Sequence, residues 1–244
     1  MTLNRNDSQI YYEVHGTGDP VLLLHGFTGT SQDWASVAAA WSRQFQLIVP
    51  DFRGHGRSGT LTKPFRHQDA ANDVVALLDH LQIGTCKGVG VSGGGNVLLH
   101  LATRQPERIA AMVLVSATPY YPAQARSIMR QYRQLLPESQ RALLRQKHPG
   151  GDAQIDALLS STEAFADSYD DMNFTPPHLA TIRARTLIVQ GDGDPLYPVQ
   201  LSVDMAQAIP QASLWIVPGG GHGPVIGERW QEFLKTAEDF LRGA

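Results

Sequence analysis

Residues 90–94 read Gly-Val-Ser-Gly-Gly, with an apolar, strand-like run before them (86–91) and a helix-like run after (96–102). In that setting the pattern describes a serine at a sharp strand-to-helix turn. The turn holds its central residue in a strained conformation, and glycine on both sides makes room for it. The hydroxyl is pushed clear of the sheet, above a helix N-terminus. Ser92 is therefore the candidate nucleophile.

A serine hydroxyl needs a base, and the base needs an orienting acid. The histidines downstream are His100, His148, His178 and His222. His100 falls inside the helix after the turn and is expected to point away from the hydroxyl. His148 and His178 fall in a helical segment described below, or at its exit. His222 lies in Gly-Gly-Gly-His-Gly-Pro (219–224), directly after the last expected strand. A glycine-rich loop there can deliver a side chain beside Ser92, so His222 is the candidate base. For the acid, Gln-Gly-Asp-Gly-Asp-Pro (190–195) offers two carboxylates. Asp194 is favoured because the following proline holds it extended. Asp192 is the alternative, or else a residue that stabilises the turn.

An oxyanion needs donors, usually two backbone N–H groups. One is expected from Gly93, at the helix N-terminus where partial positive charge collects. The other is expected from Phe27, in the loop His-Gly-Phe-Thr-Gly (25–29) that follows an apolar run. His25 reads as a prop for that loop rather than a catalyst. Residues 51–58, Asp-Phe-Arg-Gly-His-Gly-Arg-Ser, also contain acid, base and serine. Within one tight loop these cannot converge as a triad. They are expected to brace the loop, with Asp51 capping it or pairing with Arg53.

The same stretch fits a second pattern, Gly88-x-Gly90-x-x-Gly93, known from dinucleotide sites. That reading needs an acidic residue at the end of the next strand to hold a ribose. The next strand, 111–115, ends in Ser116-Ala117, so no nucleotide cofactor is expected. The serine chemistry itself requires neither metal nor cofactor.

These residues must be positioned by a sheet. Short apolar strands are expected at 9–13, 20–24, 46–50, 86–91, 111–115, 186–190 and 213–217. Helices are expected at 32–42, 67–81, 94–104, 198–208 and 229–242. Such alternation indicates an α/β fold with a parallel sheet covered on both faces. The first two strands, joined by Gly-Thr-Gly-Asp (16–19), are expected to form an antiparallel hairpin. The alternation stops between 119 and 180, where helical patterns are broken by five prolines and enriched in aromatics. Those aromatics are expected mainly to pack the insertion onto the sheet. Asp170 and Asp171, near its end, are expected to be solvated surface charges.

The chain has 244 residues, enough for one large domain with a full core. A net charge of −3 argues against nucleic acid or an anionic membrane as partner. The start is polar, no run is apolar enough to span a bilayer, and the single cysteine, Cys86, allows no internal disulfide. A cytoplasmic protein with a small-molecule substrate is the expectation; oligomeric state is not readable.

Taken together, the landmarks resemble the α/β-hydrolase fold superfamily across nearly the whole chain. His25-Gly26-x-x-Gly29 is similar to the family's oxyanion loop, and Asp51-x-Arg53-Gly54-His55-Gly56-x-Ser58 to its next characteristic loop. Gly90-x-Ser92-x-Gly94 is similar to the nucleophile turn, Gly191-x-x-Asp194 to the acid turn, and Gly221-His222-x-Pro224 to the histidine loop. The resemblance implies an eight-stranded, mostly parallel sheet flanked by helices, with a small helical cap after strand six. That divides the chain into a core (1–118 and 181–244) and a cap (119–180). Many members carry a proline before the acid-bearing strand; here 183–186 read Arg-Ala-Arg-Thr, which affects no catalytic residue.

Within the superfamily the chain looks most like small esterases, lactonases and C–C hydrolases. Serine at 92 separates it from haloalkane dehalogenases and epoxide hydrolases, which use aspartate, but not from cofactor-free haloperoxidases. The implied activity is hydrolysis of a small carboxylic ester through an acyl-enzyme, with Ser92, Asp194 and His222 catalytic and Phe27 and Gly93 holding the oxyanion. The same triad serves lactonase, C–C hydrolase, thioesterase, lyase and perhydrolase chemistry. A low-turnover small-molecule receptor is the alternative of another class.

Overall fold

The computed structural model describes residues 1–5, 8–225, 227 and 229–243. Eight strands form one sheet: β1 (Thr2–Asn4), β2 (Gln9–His15), β3 (Asp19–Leu24), β4 (Phe45–Pro50), β5 (Cys86–Val91), β6 (Ile109–Val115), β7 (Arg185–Gly191) and β8 (Ala212–Val217). Their spatial order is β1-β2-β4-β3-β5-β6-β7-β8. β2 runs antiparallel to both neighbours; every pairing from β4 through β8 is parallel.

Alternation along the strands divides the core in two. Leu22, Leu24, Met112 and Leu114 face one side, where they meet Leu77 and Leu78 of α2 (His67–His80) and Leu98 and Leu101 of α3 (Gly93–Arg104). Val21, Leu23, Val113 and Val115 face the other, against Val37 and Trp41 of α1 (Ala35–Trp41) and the buried stripe Phe233, Ala237 and Leu241 of the C-terminal helix, Trp230–Arg242. Fully burying one such large aliphatic side chain stabilises the fold by about 1.5–3 kcal/mol. A sheet apolar on both faces must be covered twice, which is why strands and helices alternate.

Two expectations need correction. β2 and β3 do not form a hairpin, because β4 lies between them and hydrogen-bonds to both. The intervening glycines turn the chain across the end of β4 instead: a Cβ on Gly16, whose φ is +73°, would sit 2.5 Å from the Phe45 carbonyl oxygen. β1 was not anticipated. It is three residues long, too short to show a pattern, and is held by pairing with β2.

The 119–180 stretch leaves the sheet after β6 and returns at β7. It contains α4 (Ala123–Leu135), α5 (Glu138–Lys147), α6 (Gly151–Phe165) and α7 (Pro176–Leu179). Arg133 ties α4 to α6 through Asp156 (2.8 Å) and Glu163 (3.2 Å). The buried Arg126 guanidinium donates to the carbonyls of Phe165 and Ala166, which close α6. Gln154 Nε2 donates to the carbonyls of Gly54 and Gly56, and the Phe65 amide donates to Ser161 Oγ, so buried polar contacts fasten the helices to the core. Of the insertion's tyrosines, Tyr121 is buried while Tyr120 and Tyr169 are exposed. No described helix is long and apolar enough to cross a membrane.

Candidate active site

Ser92 joins β5 to α3 with φ +51° and ψ −114°, a conformation that costs an L-residue of order 1–3 kcal/mol. The surrounding contacts enforce it. The Ser92 amide donates to Val115 of the next strand (2.7 Å), and its carbonyl accepts from the Asn96 amide (3.0 Å). The flanking glycines are sterically required: a Cβ on Gly90 would lie 2.4 Å from the Gly94 carbonyl carbon, and one on Gly94 would lie 2.1 Å from the Leu24 carbonyl oxygen. The turn can be this tight only where no side chain fills those points.

The structure brings Ser92, His222 and Asp194 into one hydrogen-bonded chain. His222 Nε2 is 2.8 Å from Ser92 Oγ, and its Nδ1 is 2.9 Å from Asp194 Oδ2. Asp194 also accepts from Gln190 Nε2 at Oδ2 (2.9 Å) and from the Leu196 and Tyr197 amides at Oδ1 (2.8 and 3.1 Å). Burial by itself would raise the Asp194 pKa. The bond and charge of His222, with the two amides, outweigh burial and hold the carboxyl below its ordinary value. An ionised Asp194 can only accept, so Nδ1 carries a proton and Nε2 offers its lone pair to the serine hydroxyl. Such a chain can withdraw a proton from Ser92 and stabilise the resulting imidazolium.

The acid turn and the histidine loop are held together directly. The Gly193 amide donates to the Gly220 carbonyl (2.8 Å), and the Gly219 amide donates to Asp192 Oδ1 (2.7 Å). Asp192 thus braces the neighbouring loop, and Asp194 is the carboxylate that meets the ring. Ser116 Oγ accepts from the Gly223 amide (3.0 Å) and fixes the far side of the loop.

The loop after β3 approaches Ser92 from above. A Cβ on Gly26 would stand 3.7 Å from Ser92 Cβ, and one on Gly93 would stand 3.2 Å from the Phe27 nitrogen. The Phe27 nitrogen therefore lies close to Gly93, with the loop running beside the nucleophile. His25 props this loop as expected: its Nδ1 donates to the Gly26 carbonyl (2.7 Å) while its Nε2 accepts from the Phe52 amide (3.0 Å). His148, from the insertion, does the same from the other side. Its Nδ1 accepts from the Gly56 amide (2.9 Å) and its Nε2 donates to the Thr28 carbonyl (3.1 Å).

The 51–58 loop is braced as expected, and of the two expected roles Asp51 takes the capping one: it accepts from the amides of Ser31 (2.6 Å) and Arg57 (2.8 Å). Arg53 reaches to Asp73 of α2, with two bonds of 2.7 and 2.8 Å. A carboxylate twenty residues away in a helix offers fork-like geometry that the tight loop cannot.

Four supporting histidines are buried and sit below their ordinary pKa of 6.5. Burial is the main cause for His25, His55, His148 and His100, the last brought down to about 4. In the unfolded chain each ring takes up a proton as pH falls through 6.5; in the fold it does not until lower pH. The unfolded state then binds more protons, so stability is present above that value and is lost as pH falls below it. Each ring that stays neutral withdraws up to about 1.4 kcal/mol per pH unit. Thermal melts at constant ionic strength should show the Tm falling between about pH 7 and about pH 5. A Tm constant across that window would contradict the buried-histidine arrangement.

His100 is in α3, buried against Phe174, with its Nε2 3.7 Å from Asp171. His178 lies at the surface near Thr175. Asp170 is exposed and pairs with Arg66 (2.9 Å), as a surface charge should. Asp171 is not a surface charge; its side chain is 1% exposed. It accepts from the amides of His67 and Gln68, the opening N–H groups of α2, and from His67 Nδ1. Gln190 and His67 were not singled out. Gln190 gives no sign of its role beyond being a polar residue directly after the apolar run 187–189. Among the described residues no group of three or more histidine, cysteine or acidic side chains is placed to hold a metal. Burial pushes the Cys86 thiol up to about 12, so it is unreactive.

Residues 19–167 match the family described as alpha/beta hydrolase fold, and residues 170–242 match one described as TAP-like protein. A putative carbamate hydrolase RutD of Azorhizobium caulinodans is 29% identical over 239 residues, which cover 88% of this chain and 89% of its own. The 3-oxoadipate enol-lactonase 2 of Acinetobacter baylyi is 30% identical over 215 residues, covering 81% of this chain and 80% of its own. Among solved structures, the enol-lactonase of Burkholderia xenovorans LB400 superposes with a TM-score of 0.80 at 23% identity, over 99% of this chain and 100% of that one.

Proposed function

The chain belongs to the α/β-hydrolase fold family, and from that premise we propose that it is a serine hydrolase acting on a small carboxylic ester or related acyl compound. The observation that carries the reading is the unbroken chain from Ser92 Oγ through His222 to the buried Asp194, set on a strained turn. Ser92 attacks the carbonyl while His222 Nε2 takes its proton. Charge moves onto the carbonyl oxygen, which the Phe27 and Gly93 amides receive. His222 then gives its proton to the leaving alcohol, and water repeats the sequence on the acyl-enzyme. The helices of 119–180 act as a cap, pinned beside the site through His148, Gln154 and Asp171.

The choice among esters, lactones and carbamates rests on relatives rather than on geometry. The named relatives act on a lactone and, putatively, a carbamate, and all three substrate types present a carbonyl to the same serine. A panel of p-nitrophenyl esters, lactones, carbamates and thioesters, run beside fluorophosphonate labelling, tests the proposal. The expected result is sustained turnover on at least one acyl class and stoichiometric labelling at Ser92. Labelling without turnover on any member would favour a receptor. No labelling at all would end the serine reading.

A further inference from the structure

Beside the oxyanion volume stands a second imidazole–carboxylate pair that the mechanism above does not use. His67 Nδ1 lies 2.9 Å from Asp171 Oδ2, and both side chains are 1% exposed. The two come from opposite parts of the chain, the start of α2 and the end of the insertion. Asp171 also accepts from the His67 amide (2.8 Å) and the Gln68 amide (3.1 Å). Burial alone would raise its pKa; the His67 bond and charge and these amides override that and hold it far below the ordinary range. The carboxylate is therefore ionised, and His67 Nδ1 must be the donor.

Among the described residues the other ring nitrogen has no comparable partner: its hydrogen-bond contact there is the Tyr121 hydroxyl at 3.5 Å, which is equally far from Nδ1. What Nε2 does approach is the gap left by glycine at 93: a Cβ there would stand 3.6 Å from His67 Nε2 and 3.2 Å from the Phe27 nitrogen. The Phe27 nitrogen and the His67 ring nitrogen thus both lie close to the point where Gly93 lacks a side chain. The pair is surrounded by Phe65 and Phe165 rings, with Arg66 Nε 3.8 Å and His100 Nε2 3.7 Å from Asp171.

Resting on the serine-hydrolase reading, we propose that His67 is a further catalytic residue, whose Nε2–H is a third donor to the oxyanion, and that Asp171 is its positioning residue. A lone pair placed beside Gly93 and the Phe27 nitrogen would repel an oxygen anion developing there. A ring with hydrogen on both nitrogens attracts it, and the ionised Asp171 supplies the opposite charge that a buried imidazolium requires. The simpler role of Asp171, capping α2, accounts for its two amide bonds. It does not account for the placement of His67 Nε2 beside Gly93.

The test compares wild type with His67→Phe, which fits the aromatic surroundings, His67→Gln, which keeps an N–H, and Asp171→Asn. The readouts are kcat, KM, Tm and the Ki of a trifluoromethyl ketone that forms a tetrahedral adduct with Ser92. His67→Phe should lower kcat about 10²-fold with little change in KM, and weaken the ketone by a similar factor. His67→Gln should recover part of both losses, and Asp171→Asn should fall between. If His67→Phe does not fold, histidine ¹⁵N spectra of the wild-type adduct decide, because a downfield His67 Nε2–H must appear on adduct formation. A variant with lowered Tm but unchanged kcat and Ki, or an adduct without that resonance, overturns the role of His67 and leaves the hydrolase intact. A wild-type protein inert to substrate and fluorophosphonate alike removes both.

Discussion

Ser92→Ala should lower turnover of a p-nitrophenyl ester by about 10⁴–10⁶-fold, with the fold intact. The size follows from the arrangement. Without Oγ there is no nucleophile for His222 to activate, and what remains is binding and oxyanion stabilisation toward a water molecule. Stability should change little, because alanine fits the same turn and the constraints that hold it are backbone bonds and glycines. The His222 side chain is 25% exposed, so water can replace the lost hydroxyl at Nε2. Fluorophosphonate labelling should vanish with the activity. Retention of more than about a tenth of wild-type rate at unchanged Tm would mean that another group attacks the carbonyl.

Much of this site is legible in the sequence because its requirements are local. Gly90 is demanded by its contact with Gly94 within the strand-turn-helix itself, whereas Gly94 is demanded by the neighbouring strand, through the Leu24 carbonyl. His222 and Asp194 follow short apolar strands, and the carboxyl ends of parallel strands share one rim of the sheet. The acid assignment was favoured rather than fixed, since both aspartates follow β7. The deciding contacts come from Gln190 and from the Leu196 and Tyr197 amides, which a linear pattern does not reveal.

What was not legible depends on partners far apart in the chain. The misplaced hairpin arises because strand proximity in sequence says nothing about a later strand, β4, entering between two earlier ones. Asp171 looks like a surface charge because its neighbour Asp170 is one; its partner His67 is 104 positions away. Arg53 appears to have an acid within its own loop, yet a helix offers better geometry. In each case a nonlocal contact overrides a local reading, and in two of the three the contact joins the insertion or α2 to the site.

Asp194→Asn should cost about 10⁴-fold in kcat, close to the serine substitution, although the side chains are nearly isosteric. The amide has one acceptor atom where the carboxylate has two. If its oxygen takes the place of Oδ1, it keeps the Leu196 and Tyr197 amides, and its NH₂ faces His222 Nδ1 and the Gln190 NH₂. The ring then moves its proton to Nε2 to accept at Nδ1, and it can no longer take the proton from Ser92. If the amide is turned over, the ring keeps its working tautomer, but two backbone N–H groups lose their acceptor and face another donor. The first arrangement leaves one donor facing a donor and the second leaves two, so the unproductive tautomer is favoured. Asp192→Asn gives the internal control. Asp192 accepts only from the Gly219 amide among the described contacts, a bond that the asparagine oxygen can still accept, so kcat should stay within about threefold of wild type. Equal losses in the two variants would mean that loop rigidity, rather than the state of the histidine, limits the reaction.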